Sequence, residues 1–505
     1  MKVFTIDQIK EIDRKTIEQE GVTSLQLIDR VGEGVACEVV SMLHAKSRIA
    51  VFAGPGNNGA DALAAARMLC AQGYKPEVFL FNIGGDKLGT DCATCRDRLL
   101  EAAPDVDFTE VTKQFNRPHL SPNHIVIDGL FGAGLRDPLT GGFRELVKYI
   151  ADSGAQVVSI DMPSGLFGDW NPNAVRRNMI HANLTLAVQF PHLSFFMAEN
   201  EEVIGRWKTI DIGLSHSEIR ATTTPYYLVE RSDVRKLLHP RPQFSSKVDY
   251  GSTLLVAGSY GMMGAAILSA RGALRSGAGK VTVYSPLCGF DAVQTAVPEA
   301  MFIAANSDFN ISAIKLPHTF DAVGIGPGIG TSDSTVNALE QFLNVAQNPV
   351  VLDADALNCI ARRQTLLHHI PARSVLTPHA GEFDRIFGQQ PNSEARLQKA
   401  IEMARFHSVI IVLKGRYTTV VLPDGYIYFN SSGTPAMATP GAGDVLTGVI
   451  TALMGQGYKP GIASIIGVYA HGLAGEMAAE KEGTYGVTAG DIAANIGRAI
   501  KSIAF

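Results

Sequence analysis

Gly441-Ala-Gly-Asp444, followed at once by Val445-Leu-Thr-Gly448, sets a carboxylate just inside the start of an apolar helical run. Glycines at 441 and 443 let the backbone turn tightly and leave N–H groups bare at a helix N-terminus, where an anion is stabilised. A carboxylate beside bound phosphate repels it, so its use is better explained as a base on a hydroxyl that attacks phosphorus. The segment therefore predicts phosphoryl transfer to an alcohol. The same helix N-terminus is expected to keep Asp444 ionised and a weak base, which a loose transition state tolerates.

A second set of groups lies in the first half of the chain. Strand Ile49–Ala53 runs into Gly54-Pro-Gly-Asn-Asn-Gly-Ala-Asp61, with a helix predicted over Ala62–Gln72. Asn57 and Asn58 add side-chain carbonyls to the amides of that glycine loop. Two further strand ends, Asp128-Gly-Leu-Phe-Gly-Ala-Gly134 and Asp161-Met-Pro-Ser-Gly165, add oxygen-rich groups. Asn58, Asp128 and Ser164 are candidate ligands for a hard cation, which oxygen donors suit. Asp128 also reads as a simple turn cap.

In the second half, Gly258-Ser-Tyr-Gly-Met-Met-Gly264-Ala265 and Asp321-Ala-Val-Gly-Ile-Gly-Pro-Gly328-Ile-Gly330 are glycine-dense strand ends. His379, in Thr377-Pro-His-Ala-Gly-Glu382, sits at a predicted strand-to-helix turn and is a candidate ligand contact. Lys414 and Arg416 suit nucleotide phosphates and Tyr417 a base; the alternative is a basic hairpin turn. Cys92 and Cys95 lack further zinc-spaced partners and read as reduced thiols on a helix.

Short apolar runs must position these groups. Ile49–Ala53, Glu77–Phe81, Ile125–Asp128, Val157–Asp161 and Leu184–Val188 read as buried strands. So do Thr253–Ala257, Lys280–Tyr284, Ala322–Ile325, Val350–Asp353 and Ser408–Leu413. Amphipathic stretches between them predict an α/β fold with parallel sheets covered on both faces. A polar stretch at Ser215–Pro225 separates two expected domains, 1–224 and 225–505. Net charge over the 505 residues is −5, which offers no general basic field for nucleic acid or membrane. The first twenty residues lack a signal-peptide apolar core, and no apolar run approaches the ~20 residues that span a bilayer. A cytoplasmic setting is expected.

Leu27-Ile-Asp-Arg-Val-Gly32 and the Gly54, Asp128 and Asp161 motifs together closely resemble NAD(P)H-hydrate epimerases. The resemblance implies substrate binding by Asn57, Asn58, Gly59, Ala60 and Asp61, by Gly132, Ala133, Gly134, Leu135, Arg136, Asp137 and Pro138, and by Asp161. It implies potassium on Asn58, Asp128 and Ser164, with Asp128 also moving protons. Ala60 and Ala62 depart from a pattern that is more often glycine, where a methyl obstructs substrate or resists the needed φ.

The second half resembles ADP-dependent NAD(P)H-hydrate dehydratases of the ribokinase-like superfamily. Gly264-Ala-Ala-Ile-Leu268, Gly326-Pro-Gly328, Leu352-Asp-Ala-Asp-Ala-Leu357, Thr377–Glu382, Met437–Asp444 and His471-Gly-Leu-Ala-Gly475 carry the likeness. It implies that Ala265, Gly328, His379 and Asp444 contact the hydrate. Lys414, Gly415, Arg416, Tyr417, Thr418 and Gly443 would contact the nucleotide, with Mg²⁺ on its phosphates. The whole chain thus resembles the bifunctional repair enzymes that epimerise hydrated NADH and NADPH and dehydrate one epimer with ADP. The implied fold is two doubly wound domains, Rossmann-like and then ribokinase-like. The expected partners are these small molecules and further copies of the chain. A rival reading is a ribokinase-like small-molecule kinase carrying a non-catalytic N-terminal binding domain.

Overall fold

The computed structural model describes residues 1–85, 87–171 and 175–504; Phe505, the end of the second expected domain, lies outside the described residues. The chain divides into two compact units, Lys2–Thr224 and the residues from Pro225 onward together with Met1.

In the first unit seven parallel strands lie in the order Asp107–Val111, Glu77–Phe81, Arg48–Ala53, His124–Gly129, Gln156–Ile160, Leu184–Val188, Arg206–Ile210. Ile49 to Ala53 are buried without a break, as a strand covered on both faces requires. Winding reverses between Arg48–Ala53 and His124–Gly129. A crevice opens at such a switch point beyond the strand ends, and both the Gly54 loop and Asp128 lie there. The following helix runs from Asn57 to Ala71, so both asparagines belong to its first turn. Ala60 and Ala62 are ordinary helical residues, fully buried, and demand no positive φ. The expected conflict at these alanines does not arise: the Ala62 methyl packs against Gly129 of the neighbouring strand.

The second unit's sheet runs Tyr226–Val229, Ile427–Asn430, Thr419–Val421, Ile410–Leu413, Val375–Leu376, Val350–Leu352, Ala322–Ile325, Ser252–Val256, Lys280–Ser285, Met301–Ala304. It is not parallel throughout. Thr419–Val421 pairs antiparallel with both Ile410–Leu413 and Ile427–Asn430. Lys414–Thr418 is therefore the connection of a hairpin, one of the two forms expected of it. Helix Pro460–Glu482 corrects another expectation, since its 23 residues are long and apolar enough to cross a bilayer. Of its apolar window 72% is buried inside the fold, as in a core helix.

Helix Ala442–Gly455, which carries Asp444, packs on helix Met263–Arg275. The two approach closely because each presents a glycine. A methyl on Gly448 would lie 1.9 Å from the Ser269 carbonyl oxygen, and one on Gly272 2.4 Å from that of Val445. Backbone leaves neither contact room to relax. Gly448→Val is expected to cost about 1–3 kcal/mol or more, lowering the second unit's melting temperature in calorimetry. Gly264→Ala, whose methyl meets nothing within 4 Å, is the control and leaves melting unchanged or raised.

Candidate active sites

The first unit encloses a cleft of about 540 Å³ at its switch point, lined by Asn57, Asn58, Asp61, Gly132 to Leu135 and Asp161 among the expected residues. Asp13, from helix Ile6–Glu20, and His192 also line it. Asp161 holds a left-handed backbone, φ 63°, and lies on the cleft wall. There it accepts from the Ala133 N–H at 3.3 Å and pairs with His192 Nε2 at 2.8 Å. Burial pushes the Asp161 carboxyl up, but His192 and these hydrogen bonds outweigh it and hold the group below its ordinary value. Asp61 is different: burial, with the charges of Asp161 and Asp13, raises it well above the usual range.

Asp128 is fully buried. Its Oδ1 accepts from Ser164 Oγ at 2.6 Å and the Leu130 N–H at 3.3 Å. Its Oδ2 accepts from Ser159 Oγ at 2.8 Å and the Ser164 N–H at 2.9 Å. Burial raises its pKa against these four donors. Asp128 does not belong to the cleft wall. This geometry suits a group that fixes the Ser164 turn, and gives its proton no open route to a ligand. Asn58 is brought beside Gly132, and both polar atoms of its buried amide have no partner. A buried amide that no protein group pairs calls for a partner from water, an ion or a ligand. Gly59 and Ala60 face away from the cleft, and Arg136, Asp137 and Pro138 lie off its wall, the first two exposed.

In the second unit the site forms where strand Val350–Leu352, the hairpin turn and the Asp444 helix converge. Asp353 is 1% exposed and pairs with Lys414 Nζ at 2.8 Å, while its other oxygen accepts from Thr447 Oγ1 at 2.6 Å. Glu382 lies 3.6 Å from the same Nζ. Burial alone would lower the Lys414 pKa; the carboxylates of Asp353, Glu382 and Asp444 reverse this and raise it. Gly443 leaves the space between, since a methyl there would stand 3.3 Å from Lys414 Nζ.

Asp444 corrects an expectation. Burial, and then the neighbouring Asp353, push its carboxyl up to about 7, against the lowering by Lys414. A carboxyl held there exchanges its proton near neutral pH, which the helix N-terminus alone does not predict. Burial likewise lowers His471 to about 4, leaving it neutral. Its Nε2 must then donate to the Ala442 carbonyl, 2.9 Å away, which fixes the peptide leading into Gly443.

His379 caps helix Ala380–Phe387 through Nδ1, which accepts from the Gly381 and Glu382 N–H groups, and its ring is 53% exposed. Gly328 and Ala265 are neighbours; a methyl on Gly328 would lie 3.1 Å from that of Ala265. Thr418 Oγ1 closes the turn onto Gly415, and the Arg416 guanidinium lies 4.9 Å from the Tyr417 ring centroid. The site list read from sequence omitted Asp13, His192, Asp353 and Glu382. Asp353 had a signal, an aspartate ending a buried strand, and Glu382 stands in the Thr377–Glu382 motif. Asp13 had none, because it sits on an otherwise ordinary amphipathic helix.

Residues 24–194 match the family described as YjeF-related protein N-terminus, and residues 253–498 the family described as NAD(P)H-hydrate dehydratase. A bifunctional NAD(P)H-hydrate repair enzyme of Thermofilum pendens is 35% identical, aligning 100% of this chain with 97% of its own. That of Moorella thermoacetica is 32% identical, over 97% and 95%. The solved ADP/ATP-dependent NAD(P)H-hydrate dehydratase from Bacillus subtilis, co-crystallised with ATP and Mg²⁺, is 32% identical. It covers 55% of this chain and 98% of its own, with a TM-score of 0.50.

Removing the Lys414 charge strands a buried carboxylate, a loss of about 3–5 kcal/mol. Lys414→Met is therefore expected to lower the second unit's melting temperature in calorimetry, and Lys414→Met with Asp353→Leu to recover much of it.

Proposed function

Because this chain belongs to the bifunctional NAD(P)H-hydrate repair enzymes, we propose a division of labour between its two units. The first interconverts the R and S epimers of hydrated NADH and NADPH. The second dehydrates the S epimer at the expense of ADP, giving AMP and phosphate. The reading of the second site rests on one juxtaposition: a carboxylate tuned to about 7, beside a buried lysine and a helix N-terminus.

Asp444 takes the proton of the hydrate's hydroxyl as its oxygen attacks the terminal phosphoryl group. The Gly443 N–H and the Lys414 ammonium hold the charge that develops on the phosphoryl oxygens. The C–O bond then breaks, phosphate leaves with its electron pair and the ring nitrogen forms a C=N⁺ iminium. The adjacent carbon gives its proton to the departing phosphate, the C–H electrons form the ring double bond, and the dihydronicotinamide is restored. Phosphate leaves far more readily than hydroxide, which is the reason to spend a nucleotide. Among the described residues no cluster of three or more His, Cys, Asp or Glu side chains is placed to hold a metal by itself. Mg²⁺ would come carried on the nucleotide phosphates and would neutralise their charge, with Glu382 and Asp353 as the carboxylates of the site. His379, Ala265 and Gly328 contact the hydrate, and the Lys414–Thr418 turn contacts the nucleotide.

In the first unit the unpaired Asn58 amide, near the Asp128–Ser164 pair, fits a potassium ion, which would anchor the loop over the substrate. Asp61, Asp161 and the Gly132–Leu135 loop bind the hydrate.

Incubating the protein with S-NADHX and Mg·ADP is expected to restore NADH absorbance at 340 nm; a stable phosphoester with no NADH would instead mark a kinase. Asp444→Asn is expected to lower kcat by about 10²–10⁴-fold while epimerisation continues. The base must be ionised, so kcat/KM rises with pH through about 7 and is flat above it.

A further inference from the structure

Epimerisation of the hydrate needs a proton donor. The hydroxyl sits on a carbon bonded to the ring nitrogen, and it leaves as water only if it is protonated as the C–O bond breaks. Asp128, the residue the family resemblance nominates for proton movement, is sealed beneath the cleft with both oxygens occupied. Asp161 is committed to His192 and to backbone N–H groups, which favour its ionised form.

We infer that Asp13, on the cleft-facing side of helix Ile6–Glu20, is the general acid and base of the epimerase site. This rests on the epimerase reading of the first unit. Asp13 lines the cleft and, among the described residues, has no hydrogen-bond or ion-pair partner. No hydrogen bond or ion pair stabilises the charge of a carboxyl in that position, and the ionised Asp161 opposes it. Burial and that charge push it up to about 7, so it carries a proton through much of the neutral range. The cleft is built for a polar ligand. Two further groups on its wall, the amide of Asn58 and Nδ1 of His192, are buried and have no protein partner. The other charged groups facing it are Lys10 on the same helix, Asp61 and Asp161; Asp169 lies at that helix's start, accepting from the Ile6 N–H.

The step balances within this site. Asp13 gives its proton to the hydroxyl oxygen, the C–O bond breaks, and water forms. The ring-nitrogen lone pair becomes the second bond of a C=N⁺ iminium, so the carbon is planar and its configuration is lost. Water then adds to the opposite face, a new C–O bond forms, the electron pair returns to nitrogen, and the Asp13 carboxylate takes the released proton. Nothing is oxidised or reduced. The ionised Asp161 lies where it stabilises the passing positive charge.

The test uses the full-length protein with an unequal mixture of NADHX epimers and no nucleotide, so that the second unit is idle. Equilibration is followed by HPLC against buffer alone. Asp13→Asn keeps the shape and removes the transferable proton. The expected result is a loss of about 10²–10⁴-fold in the epimerisation rate, partly recovered in Asp13→Glu. ADP-dependent recovery of NADH from the S epimer stays unchanged. The wild-type rate is expected to fall as pH rises through about 7, because the protonated form is the active one, and this limb should be absent from Asp13→Asn. If Asp13→Asn fails to fold, Asp13→Glu and the wild-type profile still test the proposal, and Asp61→Asn, expected to keep the falling limb, separates Asp13 from the other raised carboxyl of the cleft. An Asp13→Asn enzyme within threefold of wild type, or a wild-type rate that does not fall above pH 7, overturns the proposal. Wild-type protein no faster than buffer overturns the epimerase reading itself.

Discussion

The ion pair of Lys414 with Asp353 is the contact on which the second unit's site depends. Asp353 is almost wholly out of water, at the end of a central strand, and a lone carboxylate there is unaffordable in free-energy terms. Lys414 neutralises it from the hairpin turn, and Thr447 saturates its second oxygen from the helix that bears Asp444. Three segments far apart in the chain are thereby tied to one atom group. The tie sets where the ammonium stands relative to Gly443, whose missing side chain keeps the space beside Lys414 Nζ open.

Buried carboxylates fall into two kinds across the chain. Asp128 and Asp353 are surrounded by donors or by a cation, and they hold turns and helices in place. Asp13, Asp61 and Asp444 are buried with fewer partners, and each is pushed up, Asp13 and Asp444 to about 7; burial raises Asp128 as well, but against four donors. A carboxylate whose oxygens are all occupied has no contact left to offer a ligand. One without partners has. Proximity to a strand end does not separate the two kinds; only the donors around each oxygen do.

That distinction explains what could be read from the sequence and what could not. The glycine turns, the strand-end aspartates and the α/β alternation are local, and Gly54–Asp61, Asp128, Asp161 and Gly441–Asp444 were legible for that reason. The short pairs Val375–Leu376 and Thr419–Val421 were not, since two or three residues show no periodicity and owe their state to their neighbours. Ser464, His471 and Glu476 interrupt the apolar run 460–482 in the sequence, and its packing makes it one buried helix. Asp444 was misjudged because the helix terminus is a local feature, whereas the burial and the Asp353 charge that raise its pKa come from the tertiary fold. Asp13 was invisible for the same reason: an aspartate on an amphipathic helix is ordinarily solvated, and only folding turns this one into a cleft.

The two units place their sites differently: the first where a glycine turn leaves a strand at a reversal of winding, the second where the end of strand Val350–Leu352, a hairpin turn and a helix N-terminus converge. The groups they gather there differ in kind. The first cleft sets the ionised Asp161 beside the raised carboxyls of Asp13 and Asp61, and an anion on that wall favours a ring that gains positive charge as water is lost. The second site sets Lys414 and a helix N-terminus where negative charge accumulates on phosphoryl oxygens. Exchanging those charges would leave each transition state facing its own sign. One architecture therefore serves an ionisation and a phosphoryl transfer because the electrostatics, and not the strand order, select the reaction.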